Sequence, residues 1–155
     1  MATALIALEG VLKTETGNPI PEGIKLFRIL SEHYRVVITS DLDPKQTEHW
    51  LKTNMIFGYA DIYDDRYFYE GQELRSRQLA YAMSKGQVSL FIDPDADFCA
   101  EALSKGVPAV MFAAPRFVRY SRPSVKPWEE LSEEVTRQKL ALLEAHLGSN
   151  EKRFE

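Results

Sequence analysis

The sequence predicts an α/β fold: a three-layer, Rossmann-like parallel sheet followed by a C-terminal extended arm and helix. Three observations lead there. Short apolar runs without helical period occur at Ala4–Leu8, Arg35–Thr39, Val88–Ile92 and Pro108–Phe112, and such runs read as buried strands. Helix-length segments lie between them, at about Glu22–His33, Pro44–Met55, Gly71–Lys85 and Asp97–Lys105. The alternation itself favours a parallel sheet covered on both faces, because each right-handed crossover carries the chain over one face.

The first run follows a start with no basic residues and is far too short for a signal peptide or a membrane span, so it reads as the first strand. A further short strand is expected near Tyr59–Tyr63, within the long interval between the second and third runs. After Pro115, Arg116, Arg119, Arg122 and Lys126 are interleaved with Phe117, Tyr120 and prolines. Proline does not continue a helix interior, so this stretch reads as an extended, basic arm. A last helix is expected from about Pro127 to Leu147, with Trp128, Leu131, Val135, Leu142, Leu143 and Leu147 forming an apolar stripe. The organisation is therefore one domain over 1–147, with its core at about 3–113, arm and helix at 115–147, and a polar tail at 148–155.

A chain of 155 residues with 45% apolar content suits a single domain with a substantial core. A formal charge of −4 argues against general attraction to nucleic acid or an anionic membrane. Cys99 is the single cysteine, which precludes an internal disulfide and fits a reducing cytoplasm. His33, His49 and His146 are too scattered to suggest a metal site, and Cys99 has no evident base partner.

In an open parallel sheet, ligands bind at the carboxyl ends of the strands. Asp41, Asp43, Asp93, Asp95 and Asp97 all follow a predicted strand directly, so they are expected at that edge. The same residues also suit helix N-caps and solvated turns.

Over about residues 3–113 the sequence resembles the haloacid dehalogenase-like (HAD-like) phosphohydrolase superfamily. Ile6-Ala7-Leu8-Glu9-Gly10-Val11-Leu12 stands where that superfamily has a strand ending in Asp-x-Asp-Gly-Thr-Leu. Val36-Val37-Ile38-Thr39-Ser40 matches the strand ending in Ser or Thr, and Leu90-Phe91-Ile92-Asp93-Pro94-Asp95-Ala96-Asp97 matches the strand leading to acidic residues. The run Ala100–Val110 resembles the helix, glycine turn and last core strand that follow. The basic, proline-containing tail ending in Lys126-Pro127-Trp128-Glu129-Glu130-Leu131 looks like small HAD-like proteins encoded by actinobacteriophages.

The resemblance implies a site whose first Asp attacks phosphorus and ligates magnesium, while the second acts as general acid and base. Here those positions hold Ala7 and Glu9. A methyl group neither attacks phosphorus nor binds a cation, and the extra methylene of Glu9 moves its carboxylate outward. By the same resemblance, Thr39 and Ser40 would bind phosphate, and Asp93 and Asp97 would hold magnesium at reduced affinity. The family's Lys or Arg before the acidic strand has four candidates: Arg66, Arg75, Arg77 and Lys85. Neither interval beside the first two motifs is long enough for a full cap domain, which leaves an open site suited to a macromolecular ligand.

Three functions compete. The first is a catalytically degenerate HAD-like domain that binds a protein partner, with residual phosphate or magnesium binding. The second is a magnesium-dependent phosphohydrolase that activates water with Glu9 and the Asp93 cluster. The third is nucleic-acid binding through Arg116, Arg119 and Arg122 with Phe117 and Tyr120, which the acidic remainder of the chain disfavours.

Overall fold

The computed structural model describes residues 1–114 together with residues 133, 135–137, 140 and 144. Five parallel strands form one sheet: β1 (Thr3–Ala7), β2 (Arg35–Thr39), β3 (Asp61–Tyr63), β4 (Val88–Asp93) and β5 (Ala109–Met111). Their spatial order is β3-β2-β1-β4-β5. The chain thus builds outward from β1 in one direction, then returns across the sheet to build in the other, a Rossmann-like arrangement with its switch point between β1 and β4.

Among the described residues, helices α1 (Pro21–Ser31), α2 (Pro44–Thr53), α3 (Leu74–Lys85) and α4 (Ala96–Ser104) cover the sheet. Strand alternation sends successive side chains to opposite faces. Ile6, Val36, Ile38 and Ile92 pack with Ile24, Phe27 and Leu30 of α1 and Leu51 of α2. Leu5, Val37 and Phe91 pack with Leu79 and Ala82 of α3 and Cys99 and Ala102 of α4. Both faces of the sheet are therefore dry, which explains why the strands read as continuous apolar runs rather than alternating ones. Each fully buried Leu, Ile or Phe in these layers contributes about 1.5–3 kcal/mol.

The element order agrees with the expected one, and the differences lie at boundaries. Helix α3 begins at Leu74 instead of Gly71 because residues 69–72 form a tight turn, with Tyr69 bridged to Gln72 and Gly71 at φ +84°. Strand β5 has three residues where five were expected. A 3₁₀ turn at Asp65–Tyr67, which periodicity did not signal, follows β3.

Two glycines hold the loops of the carboxyl edge close together. Gly10 lies at φ +87°, and a Cβ there would stand 2.5 Å from Pro94 Cγ, so the loops after β1 and β4 touch only because that position is bare. At Gly23 a Cβ would fall 1.7 Å from the Val11 carbonyl oxygen. Helix α1 therefore lies directly on the turn that closes at Leu8, where Leu12 and Lys13 both donate their N–H groups to the Leu8 carbonyl.

Glu133, Val135, Thr136, Arg137, Leu140 and Glu144 are helical and fall within the span expected for the last helix. The expected arm, including Arg116, Arg119 and Arg122, lies outside the described residues. No helix among the described residues is long and apolar enough to cross a membrane.

Candidate functional site

The carboxyl ends of β1, β2 and β4 open into a cleft of about 460 Å³. Glu9, Asp41, Asp93 and Arg75 line it together with Leu42, Ile20, Pro94, Phe98 and Ala114, and Lys13, Glu15 and Asp95 complete the rim. Its charged groups come from separate elements brought to one edge, while its walls are largely apolar.

Arg75 is the centre of this arrangement. It sits in the first turn of α3 and is buried. Its Nη2 donates to Asp41 Oδ1 at 3.0 Å, and Nη1 donates to Gln78 Oε1. Its Nε lies 3.0 Å from Asp93 Oδ2, and Nη2 lies 4.0 Å from Glu9 Oε2. The Nε–Oδ2 contact is an ion pair without hydrogen-bond alignment, because neither atom has a hydrogen-bond partner.

Of the four cations expected as candidates, only Arg75 reaches Asp93. Arg66 forms a two-pronged pair with Asp64 through Nε and Nη2, both at 2.9 Å. Arg77 stacks over Tyr69, and Lys85 over Tyr81. The signal that separates Arg75 is the phase of α3. Arg75, Gln78, Leu79 and Ala82 are its buried residues, at the spacing of one helical face, so counting back from Leu79 and Ala82 places Gln78 and Arg75 against the sheet.

Gln78, which the sequence reading missed, has no exposure at all. Its Nε2 donates to the carbonyls of Ser40, Tyr63 and Asp64 at 2.8–3.1 Å. One side chain thus closes the loops after β2 and β3 and, through Oε1, orients Arg75.

The carboxylates differ in their surroundings. Glu9 Oε1 accepts the Asp41 N–H at 2.9 Å and the Ser40 hydroxyl at 3.3 Å. Burial, followed by the charge of Asp41, raises the Glu9 pKa above its usual range, while the Asp41 N–H and Arg75 act the other way. Asp93 Oδ1 accepts the Asp95 N–H at 2.9 Å. Burial pushes the Asp93 carboxyl up to about 6, although Arg75 and the Asp95 N–H oppose the shift. Loss of hydration thus outweighs the nearby guanidinium.

Thr39 and Ser40, expected to bind phosphate, are both buried at the carboxyl end of β2. Ser40 donates its N–H to Tyr63, and its hydroxyl is held by Thr47 at 2.8 Å, Glu9 and the Leu42 N–H. Thr39 pairs in register with Ala7 across β1 and β2. Its Oγ1 is buried without a hydrogen-bond partner, and Thr39 does not line the cleft. Ala7 is fully buried at the end of β1.

Asp43 and Asp95 serve as N-caps. Asp43 accepts the Gln46 N–H at 2.7 Å and opens α2, while Asp95 accepts the N–H groups of Asp97 and Phe98 and opens α4. Cys99 is buried in α4, and burial pushes its thiol up to about 12, far from the thiolate that nucleophilic chemistry requires.

Of the magnesium set that the resemblance implies, Asp93 lies in the cleft lining and Asp97 outside it. Ala7 supplies no oxygen, Asp93 Oδ2 faces Arg75, and Asp97 is exposed on the first turn of α4, outside the cleft lining. Among the described residues no group of three or more His, Cys, Asp or Glu side chains is placed to hold a metal ion. Comparison of the chain with family models, with curated proteins and with solved structures gives no match.

Proposed function

We propose that this chain is a degenerate HAD-like domain that works by binding, and that its cleft receives a basic side chain of a protein partner. The observation that carries the reading is the enclosure of Arg75 by the chain's own carboxylates, beside an alanine where the HAD-like resemblance calls for a nucleophile. A phosphoryl group needs free positive charge to stabilise it. Among the described residues, the buried guanidinium of Arg75 is already matched by Asp41 and Asp93, with Glu9 close by.

Charge then favours a cation over a phosphate. Among the described residues, Glu9, Glu15, Asp41, Asp93 and Asp95 line the cleft against Lys13 and Arg75, so these side chains together repel an approaching phosphate. A lysine or arginine offers a positive head for the carboxylates and an aliphatic stem for Leu42, Ile20, Pro94 and Phe98. Residual phosphate binding through Thr39 and Ser40 is the weaker part of the HAD-like reading, because Ser40 is fully engaged within the loop.

The test is a pair of titrations followed by amide chemical shifts. A short lysine-containing peptide is expected to perturb Glu9, Gly10, Asp41 and Asp93, and the same peptide with its lysine acetylated is expected to do so far less. Equal shifts from both peptides, or strong shifts from inorganic phosphate, would overturn the proposed partner chemistry.

A second reading, water activation by Glu9 and Asp93, draws support from two carboxyls with raised pKa values beside one cleft, a pattern that accompanies acid–base sites. Magnesium-dependent release of phosphate from an aryl phosphate, abolished by Asp93→Asn, would promote it over the binding reading.

A further inference from the structure

We propose that a second cavity, at the opposite end of the sheet from the cleft, binds a phosphate group between Arg35 and Lys85, either as the free ion or on a small ester. This cavity is separate from the carboxyl-edge cleft, and its occupancy does not depend on whether the cleft receives a basic side chain.

The cavity has about 550 Å³ of space, within the roughly 300–1,000 Å³ that small-molecule sites occupy. Thr3, Arg35 and Asp61, which open β1, β2 and β3, line it together with Lys85, which ends α3, and with Tyr63 and Tyr81. Arg35 donates its N–H to the Ala2 carbonyl and pairs in register with Thr3, so its backbone is fixed at the amino edge of the sheet. Strand alternation puts its side chain on the same face as Val37, the face that α3 covers.

Neither cation is spent on a carboxylate. Among the described residues, Arg66 pairs with Asp64 and Arg75 with Asp41 and Asp93, whereas Arg35 and Lys85 take part in no ion pair. Asp61, the carboxylate among the lining residues, turns Oδ1 to the Ile62 N–H at 2.8 Å. Tyrosines hold the two cations instead. Lys85 Nζ stands 5.2 Å from the centre of the Tyr81 ring, and Tyr81 packs edge to face on Tyr63 at 5.1 Å. Tyr63 is buried. Burial, followed by the charge of Asp61, raises its hydroxyl above the usual range, while the charge and hydrogen bonding of Arg35 act the other way. Contact with a ring face or a neutral phenol leaves the full positive charge of each cation in place.

Two such charges, carried by separate elements and held by tyrosines that pack on each other, suit an anion with more than one negative charge. A guanidinium fork matches two phosphate oxygens, and an ammonium adds a point charge. Lys85 also offsets the negative end of α3, so Arg35 supplies most of the attraction. A monocarboxylate brings a single charge and gains correspondingly less.

Amide chemical shifts of the natural protein test the site, with inorganic phosphate, phenyl phosphate and acetate as probes at one ionic strength. Phosphate is expected to move Thr3, Arg35, Gly86 and Gln87 saturably and to leave Glu9, Gly10, Asp41 and Asp93 in place, which keeps this outcome distinct from that of the peptide titrations. Acetate is expected to bind at least about fivefold more weakly. Phenyl phosphate binding at least as tightly as phosphate supports an ester as the ligand, and weaker binding supports the free ion. Arg35→Gln is expected to weaken phosphate binding by about tenfold, Lys85→Gln to weaken it by about two- to fivefold, and Asp61→Asn to strengthen it by about twofold. No saturable shift at the amino edge would overturn the proposal, as would acetate binding as tightly as phosphate, or a phosphate affinity unchanged in Arg35→Gln. If Arg35→Gln fails to fold, Lys85→Gln and Asp61→Asn decide: opposite changes in affinity support the site, and affinity unchanged in both refutes it.

Discussion

Asp93 shows how a side chain can hold an ion pair and still be held at a cost. Its carboxyl stands at about 6 against an ordinary 3.8, so between those values the folded protein binds a proton that the unfolded chain has released. Wherever the native state binds more protons, stability falls as pH rises. The contribution of Asp93 is therefore most favourable at acid pH and is lost as pH climbs from about 4 through 6. Glu9 is shifted in the same direction. Asp93→Asn, which keeps an acceptor for the Asp95 N–H, is expected to be more stable than the natural protein at pH 8, by on the order of 1–3 kcal/mol, and to lose that advantage by pH 4. Urea denaturation at the two pH values measures both. A variant less stable than natural protein at pH 8 would show that the Arg75 pairing outweighs lost hydration. Gln78 carries a different kind of burden, since its amide donates to three carbonyls with no access to water. Gln78→Leu is expected to destabilise the fold by about 2–4 kcal/mol, because several buried carbonyls lose their donor together. An unchanged denaturation midpoint would mean that water replaces the amide.

The elements were more legible in the sequence than the residues between them. Runs such as Arg35–Thr39 signal a strand because both faces of the sheet are dry, and the order of runs and helices signals parallel topology. What the sequence concealed was the inward use of polar residues. Arg75 lies beside Arg77 in α3, and without the helical phase set by Leu79 and Ala82 nothing distinguishes the buried cation from the one lying over Tyr69. Asp43 and Asp95, for which the sequence left both the carboxyl edge and helix caps open, are the caps that start α2 and α4. Asp43→Ala should therefore cost about 1 kcal/mol, read from the urea midpoint, with the cleft unaffected. Close approach was equally hidden, because a glycine does not announce which neighbour it admits. Gly23→Ala puts a methyl group into the Val11 carbonyl. It must push α1 off the turn after β1, with an expected loss of about 3 kcal/mol or more. A variant within about 0.5 kcal/mol of natural protein would show that α1 shifts freely.

At the scale of the whole molecule, the fold brings the ends of β1, β2 and β4 together at one cleft, where Arg75 is held by Asp41 and Asp93. Introducing the residues that the HAD-like resemblance calls for therefore should not by itself create phosphoryl-transfer chemistry. Ala7 has no exposure, so Ala7→Asp introduces a carboxylate into the packed base of β1, where burial disfavours its charge. Glu9→Asp shortens the side chain that receives the Asp41 N–H and the Ser40 hydroxyl, loosening the loop after β2. Neither change frees Arg75 from Asp41 and Asp93, so that guanidinium would still be matched when charge develops on a transferring phosphoryl group. The natural protein is expected to release no phosphate from an aryl phosphate above background in magnesium, and the double variant is expected to behave the same while melting at lower temperature. Adding Asp41→Asn removes one carboxylate from Arg75 and is expected to give the triple variant more affinity for inorganic phosphate than the double variant has, by about two- to tenfold. Phosphate release and phosphate titration on the three proteins side by side decide the matter. Turnover in the double variant alone would mean that a carboxylate at position 7, and not release of Arg75, is what phosphoryl transfer at this edge requires.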